Sequence, residues 1–302
     1  MLLPTSPTHG MKYFLCLLCF GLSINGYCET LPPEESTSPA VSKETSLQTL
    51  EPEDVRFAVL AKTLAKDNQV HWLNTDEQRF LALFKPVTGA SKQGAILIVA
   101  DYNHHPDWPG PVRYLRNKLP LHGWATLSLA LPLQPVEKMT EPKDESPLSQ
   151  SQANPQLTQR LQAAMTQIQS QGLYNIVVIA IGNAAPLTAR SLVDLPASSY
   201  AGFIALAPWS LKGKPQTDLA EIFTDLTAGV LELVPALWPE SGLIKRKGLA
   251  EKKHHPNYSQ VRLLGDIKHF QHSPQLLPRI RGWLKRNAEA MEGKLQQEAA
   301  RN

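Results

Sequence analysis

The chain has 302 residues, of which 42% are apolar, 19% charged and 7% aromatic, with 17 glycines, 25 prolines and 3 cysteines. So little glycine excludes collagen, the apolar content and near-balanced charge exclude overall disorder, and three cysteines exclude a disulfide scaffold. A formal charge of +3, with no long basic run, gives no basis for a nucleic-acid partner.

Residues 11–28 read MKYFLCLLCFGLSINGYC. Lys12 precedes an apolar run, 13–22, that has the length of a signal-peptide core and is short for a bilayer span. Gly26 and Cys28 are small residues placed for cleavage after Cys28, so 1–28 reads as a signal peptide, with Met11 a candidate start. An uncleaved anchor is the alternative. Cleavage would remove Cys16, Cys19 and Cys28 and leave no thiol for a disulfide, a nucleophile or a metal. The expected address is periplasmic or secreted, with no transmembrane segment after signal removal.

Residues 29–50, rich in Pro, Ser, Thr and Glu, read as a flexible leader. A helix is predicted over 51–66, with Val55, Val59, Leu60 and Leu64 as its apolar side. Segments 71–73 and 79–84 suggest a hairpin closed by Asn74-Thr75-Asp76. Continuous apolar runs follow at 95–100, 125–131, 176–181, 203–207 and 230–234, with a shorter one at 261–264. Such runs suit strands of a parallel sheet covered on both faces. Between them, Asn154-Pro155 signals a helix start. Leu157, Leu161, Met165 and Ile168 form its stripe, and Gly172 its end. Ser273-Pro274 predicts the start of a last helix carrying Leu276, Leu277, Ile280, Trp283 and Leu284. The alternation implies a doubly wound α/β fold with a mostly parallel sheet and helices on both faces. It forms one domain over 51–292, with a flexible insertion at 133–153 and a tail at 293–302. Lys245-Arg246-Lys247 and Lys252-Lys253 read as solvated helix faces.

The strand order and spacing resemble the α/β-hydrolase fold over roughly residues 70–290. That fold carries its nucleophile on a strand-to-helix turn of pattern G-x-S-x-G. Here the turn after 176–181 reads Gly182-Asn183-Ala184-Ala185-Pro186. Aligning the first glycine puts Ala184, which has no attacking oxygen, at the nucleophile position. Thr188 and Ser191 are the nearest hydroxyls. The oxyanion loop would follow 95–100 and contains Asp101, Tyr102, Asn103, His104, His105, Asp107 and Trp108. It is a candidate binding edge, since ligands of open α/β sheets bind at the carboxyl ends of the strands. His269 stands at the triad-histidine position, with Asp266 or His272 near it. Glu240 stands nearest the triad-acid position. Glu232, inside a strand, would need a structural partner. His-His-Pro occurs at 104–106 and 254–256, but without HExxH-like spacing no metal site is assigned. No cofactor is expected.

The motif His105-Pro106-Asp107-Trp108-Pro109-Gly110 has three companions. These are Leu119-Pro120, His122-Gly123-Trp124-Ala125-Thr126 and the C-terminal Tyr258-Ser259-Gln260-Val261 with Arg281-Gly282-Trp283-Leu284-Lys285-Arg286. Together they resemble an uncharacterised family of bacterial exported proteins, a domain of unknown function with an α/β-hydrolase-like fold. The resemblance implies fold and envelope location and assigns no activity. It also implies a glycine where Asn103 stands, whose Cβ would narrow an oxyanion pocket. Three readings follow. The first is a non-catalytic envelope protein binding a small molecule, a lipid or glycan fragment, or a protein partner. The second is an esterase-, thioesterase- or peptidase-type hydrolase using Thr188, a metal-activated water at His104 and His105, or His269 with Asp266. The third is an assembly factor acting through the leader and the 133–153 insertion.

Overall fold

The computed structural model describes residues 51–65, 69–89, 91–132, 154–208, 217–255, 257–265 and 267–288. The expected signal, leader, insertion and tail lie outside them. Eight strands form one sheet, β1 (Val70–Asn74), β2 (Arg79–Lys85), β3 (Gly94–Val99), β4 (Trp124–Leu129), β5 (Ile176–Ile181), β6 (Gly202–Leu206), β7 (Gly229–Pro235) and β8 (Tyr258–Leu263). Their order is β1-β2-β4-β3-β5-β6-β7-β8. β2 runs antiparallel to both β1 and β4; β3 to β8 are parallel. The hairpin turn falls one residue later than the sequence suggests, because the Thr75 amide and hydroxyl both bond the Gln78 carbonyl.

The apolar runs split by alternation between two cores. Ala95, Leu97 and Val99 of β3 face one cluster with Leu157, Leu161 and Ile168, on the helix α4 described below. Ile96 and Ile98 face another with Val112, Leu115, Ile280 and Trp283. A period of two on a strand sends neighbouring side chains to opposite faces, so six apolar residues in a row can all be buried. The described helices are α1 (Glu53–Arg56), α2 (Ala58–Leu64), α3 (Pro111–Lys118), α4 (Pro155–Ser170), α5 (Ala184–Val193), α6 (Thr217–Thr224), α7 (Glu240–Lys252) and α8 (Leu276–Asn287). Asn154 caps α4 as expected, its Oδ1 accepting the Leu157 amide at 3.2 Å, with Pro155 at the first helical position. Among the described residues no helix is long and apolar enough to cross a membrane.

Three expectations are corrected. The first helix is two short pieces, and Val55 and Val59 are exposed. Its orientation is set instead by buried Glu53, which accepts from Arg160 at 2.6 Å and from the Leu81 amide at 3.2 Å. The last helix starts at Leu276 behind Gln275, two residues beyond Ser273-Pro274. Arg246 is not on a solvated face: it is 1% exposed and pairs with fully buried Glu232 at 2.5 Å. That pairing is the structural partner Glu232 requires.

Thr188 and Ser191 are fully buried on α5, and among the described residues neither hydroxyl has a partner. Thr188 is therefore closed to any substrate. An orphaned buried hydroxyl costs about 1–3 kcal/mol. Thr188→Val keeps the shape and removes the hydroxyl, so it should raise the thermal midpoint by about 2–4 °C for each kcal/mol recovered. Calorimetry of the variant beside wild type checks it; a lower midpoint would show that the hydroxyl is satisfied.

Candidate functional site

The candidate site lies at the carboxyl ends of β3 and β5, which pair directly. Val99 stands opposite Ala180, so Asp101 and Gly182, each two residues further on, come to the same level. The polypeptide leaves β5 through Gly182, whose φ is +60° and whose amide bonds the Leu206 carbonyl at 2.9 Å. Asn183 is already in the helical region and Ala184 is the first residue of α5, fully buried. The left-handed step of this turn is thus Gly182, whereas Ala184, expected on pattern at the nucleophile position, already lies inside α5. A serine at 184 would sit in the core, and no residue from Gly182 to Ala184 carries a hydroxyl or thiol.

What fills the turn is Asp101. Its Oδ1 accepts the Tyr102 amide at 2.7 Å, the Asn183 amide at 2.8 Å and the Asn183 side-chain amide at 3.3 Å. A Cβ built on Gly182 would lie 2.1 Å from Asp101 Oδ2, so the carboxylate occupies the space of any side chain there. The negative group also caps the N-terminus of α5, where the helix dipole favours it.

The loop from 101 to 110 is held by its own turns. The His104 amide donates to the Asp101 carbonyl at 3.0 Å, and between them Asn103 takes the left-handed region with φ +59°. Asparagine tolerates that region better than most residues with a side chain. The Asn103 side chain is exposed. His104 stacks on Trp108 with ring centres 4.1 Å apart and planes 8° from parallel. Trp108 remains 37% exposed, so this aromatic pair is the site's open face. His105 meets Trp108 edge-on at 5.1 Å, and its Nδ1 accepts the Asp107 amide at 3.1 Å.

Asp107 serves the scaffold rather than a ligand. It is buried and takes Arg113 at 2.9 Å on one oxygen and Arg116 at 2.5 Å on the other. The buried Ser128 hydroxyl ties the Pro106 carbonyl to β4 at 2.7 Å. These bonds pin the middle of the HPDWPG motif and leave Trp108 within it, and Tyr102 and His104 before it, as the loop's ligand-facing candidates.

Burial lowers the His104 pKa below its ordinary 6.5, and the nearby Asp101 charge opposes the shift. Burial likewise lowers His105, with Asp107 opposing and Arg113 and His104 adding to it. Both shifts favour the neutral ring. An NMR titration should place the His104 midpoint below 6.5. Asp101→Asn removes the opposing charge and should lower that midpoint further. A midpoint that rises in the variant would contradict the pairing.

The triad candidates stand as follows. Glu240 opens α7, is largely exposed and pairs with Arg262 at 3.4 Å. A triad acid is buried against its histidine. His269 lies in the 3-10 turn Ile267–His272, which follows β8 and packs beside α3. Its side chain and Asp266 lie outside the described residues. The two His-His pairs lie far apart, since 104–105 follow the carboxyl end of β3 and 254–255 precede the amino end of β8, four strand positions away in the sheet. His255 instead holds the Leu226 carbonyl through Nε2 at 2.9 Å. Among the described residues no three His, Cys, Asp or Glu side chains converge as a metal site would need.

The pairing of Asp101 with the Gly182 turn was missed at the sequence level. The only signal for it was an acid directly after the apolar run of β3.

The family model described as "Protein of unknown function (DUF3530)" matches residues 13–286. The chain belongs to this family. No curated protein matches it. Solved structures give this DUF3530 protein its fold. The esterase Est1E from Butyrivibrio proteoclasticus is similar with a TM-score of 0.51 and 10% identity, covering 72% of this chain and 98% of its own. An esterase of Pyrococcus furiosus gives 0.54 and 11%, with coverage of 72% and 92%. The esterase domain of a Rhodothermus marinus protein gives 0.50 and 12%, with coverage of 72% and 98%. At such identities the likeness shows the α/β-hydrolase fold of this DUF3530 member and nothing of its chemistry.

Proposed function

We propose that this protein is an exported component of the bacterial cell envelope that uses the α/β-hydrolase fold to bind a ligand and not to hydrolyse one. The observation that carries the reading is the elbow. Its left-handed position is Gly182, which has no side chain to attack a carbonyl. The open face beside it, Trp108 stacked on His104, suits a flat or apolar group of a small molecule, lipid or glycan fragment, or of an envelope protein.

Routes to an unusual hydrolase find little support. The Thr188 hydroxyl is buried, the paired histidines do not converge, and the charge of Glu240 is spent on Arg262. Export rests on the 11–28 segment, and the fate of that segment is tested by N-terminal sequencing of protein recovered from the envelope. The binding reading is tested by titrating the protein with an N-acetylglucosamine trisaccharide and with a lysophospholipid below micelle formation, reading tryptophan fluorescence. A saturable change that Trp108→Ala abolishes supports it. Turnover of a p-nitrophenyl ester that scales with the protein, and survives further purification, would overturn it.

A further inference from the structure

The two amides that hold Asp101 have a meaning in this fold. The amide of the residue after the nucleophile and an amide of the loop after β3 form the oxyanion hole that receives the substrate's negative oxygen. Here those amides belong to Asn183 and Tyr102, and both donate to one oxygen of Asp101, at 2.8 and 2.7 Å. The other oxygen lies where the nucleophile's own side chain would begin, 2.1 Å from a Cβ built on Gly182.

One carboxylate therefore covers two functions of the active site. It also differs from the buried carboxylates, since Asp101 is only half-buried. Glu53, Asp107 and Glu232 each have an arginine within 3.1 Å. Among the described residues no arginine or lysine pairs with Asp101; N–H groups meet its Oδ1, and its charge also acts on His104.

We infer that Asp101 is a built-in occupant of the elbow, an intramolecular stand-in for a bound oxyanion that keeps substrate carbonyls out of the hole. The inference rests on the non-catalytic reading and deepens it. A missing nucleophile alone would leave an open pocket; Asp101 closes that pocket from within. Ligands then engage the Trp108–His104 face and not the elbow. Asp101 and Gly182 are also one coupled feature, because the carboxylate fits only over a residue without a side chain.

The test is chemical rescue. In Asp101→Ala the two amides lose their acceptor, and a small free carboxylate can take the place. Amide NMR of the full chain follows Tyr102 and Asn183 while sodium acetate replaces sodium chloride at constant ionic strength. In wild type these two resonances should not respond. In Asp101→Ala they should move away from their wild-type positions and return toward them saturably, with acetate binding in about the millimolar range. Thermal midpoints should follow the same pattern.

If Asp101→Ala folds only with acetate present, that too is rescue. If it does not fold in either salt, Asp101→Asn decides. Its neutral side chain should shift the Asn183 amide and leave it indifferent to acetate, and an unshifted amide would overturn the inference. Two results with Asp101→Ala would also overturn it: amides that ignore acetate, or a wild-type response equal to the variant's. Serine-probe labelling of wild type speaks separately to the non-catalytic reading, so the two can fail independently.

Discussion

Replacing Arg246 with methionine should destabilise the domain by about 3–5 kcal/mol, the usual result of removing one member of a buried ion pair. Both partners lie within the protein, Glu232 fully buried in β7 and Arg246 on α7. Arg246 meets the carboxylate twice, at 2.5 and 3.1 Å. The Tyr258 hydroxyl and the Gln260 amide complete the shell at 2.5 and 2.7 Å. Burial, and then the charge of Glu232, push the Tyr258 phenol far above its ordinary range, so it remains a donor at any ordinary pH. Without Arg246 the carboxylate keeps two neutral donors and no cation. Urea unfolding measures the loss. Adding Glu232→Leu should return much of it, because no bare charge remains. A single variant costing under about 1 kcal/mol would mean that water reaches the pair, as at exposed ion pairs.

Gly182→Ser is the change that supplies the missing residue type, and it should fail to make a nucleophile. A residue other than glycine at φ +60° carries strain of about 1–3 kcal/mol. Its Cβ would also fall 2.1 Å from Asp101 Oδ2, well inside the 3.0 Å that real contacts respect. Relief requires Asp101 to leave the Tyr102 and Asn183 amides, and a hydrogen bond to a charged group contributes about 1.5–3 kcal/mol. The variant should lose about 3–5 kcal/mol in total and give no ester turnover. Asp101→Gly in the same chain removes the overlap. The double variant should be more stable than the two single losses predict, by about 1–3 kcal/mol. Additive losses would show that the two positions do not compete for one space.

The fold was readable because its strands are buried on both faces. An uninterrupted run such as 176–181 has few other uses in a chain of this composition, and Asn154-Pro155 marks a helix start by local chemistry alone. What could not be read is set by contacts distant in sequence. Glu53 turns the first helix through a bond to Arg160, 107 positions away, so a stripe chosen on hydrophobicity named two exposed valines. Arg246 looked solvated because its neighbours are lysines, and only the strand beneath α7 shows that it is buried. At the elbow, the pattern G-x-S-x-G can be laid on Gly182 or ended on Ala184. A sign of φ decides between them, and the letters do not carry it. Asp101 meets Asn183 across 82 positions, through the pairing of β3 with β5. Asp107 was more accessible to reasoning. An acid followed by arginines six and nine positions on, at the start of a helix, has its partners close by.

The most direct test of the account is covalent labelling of the purified protein with a fluorophosphonate probe, beside an active serine esterase as control. The account predicts that wild type forms no adduct at concentrations and times that label the control fully. An adduct on wild type, located by mass spectrometry, would reveal a nucleophile that the Gly182 elbow does not contain, and would contradict a binding role without catalysis.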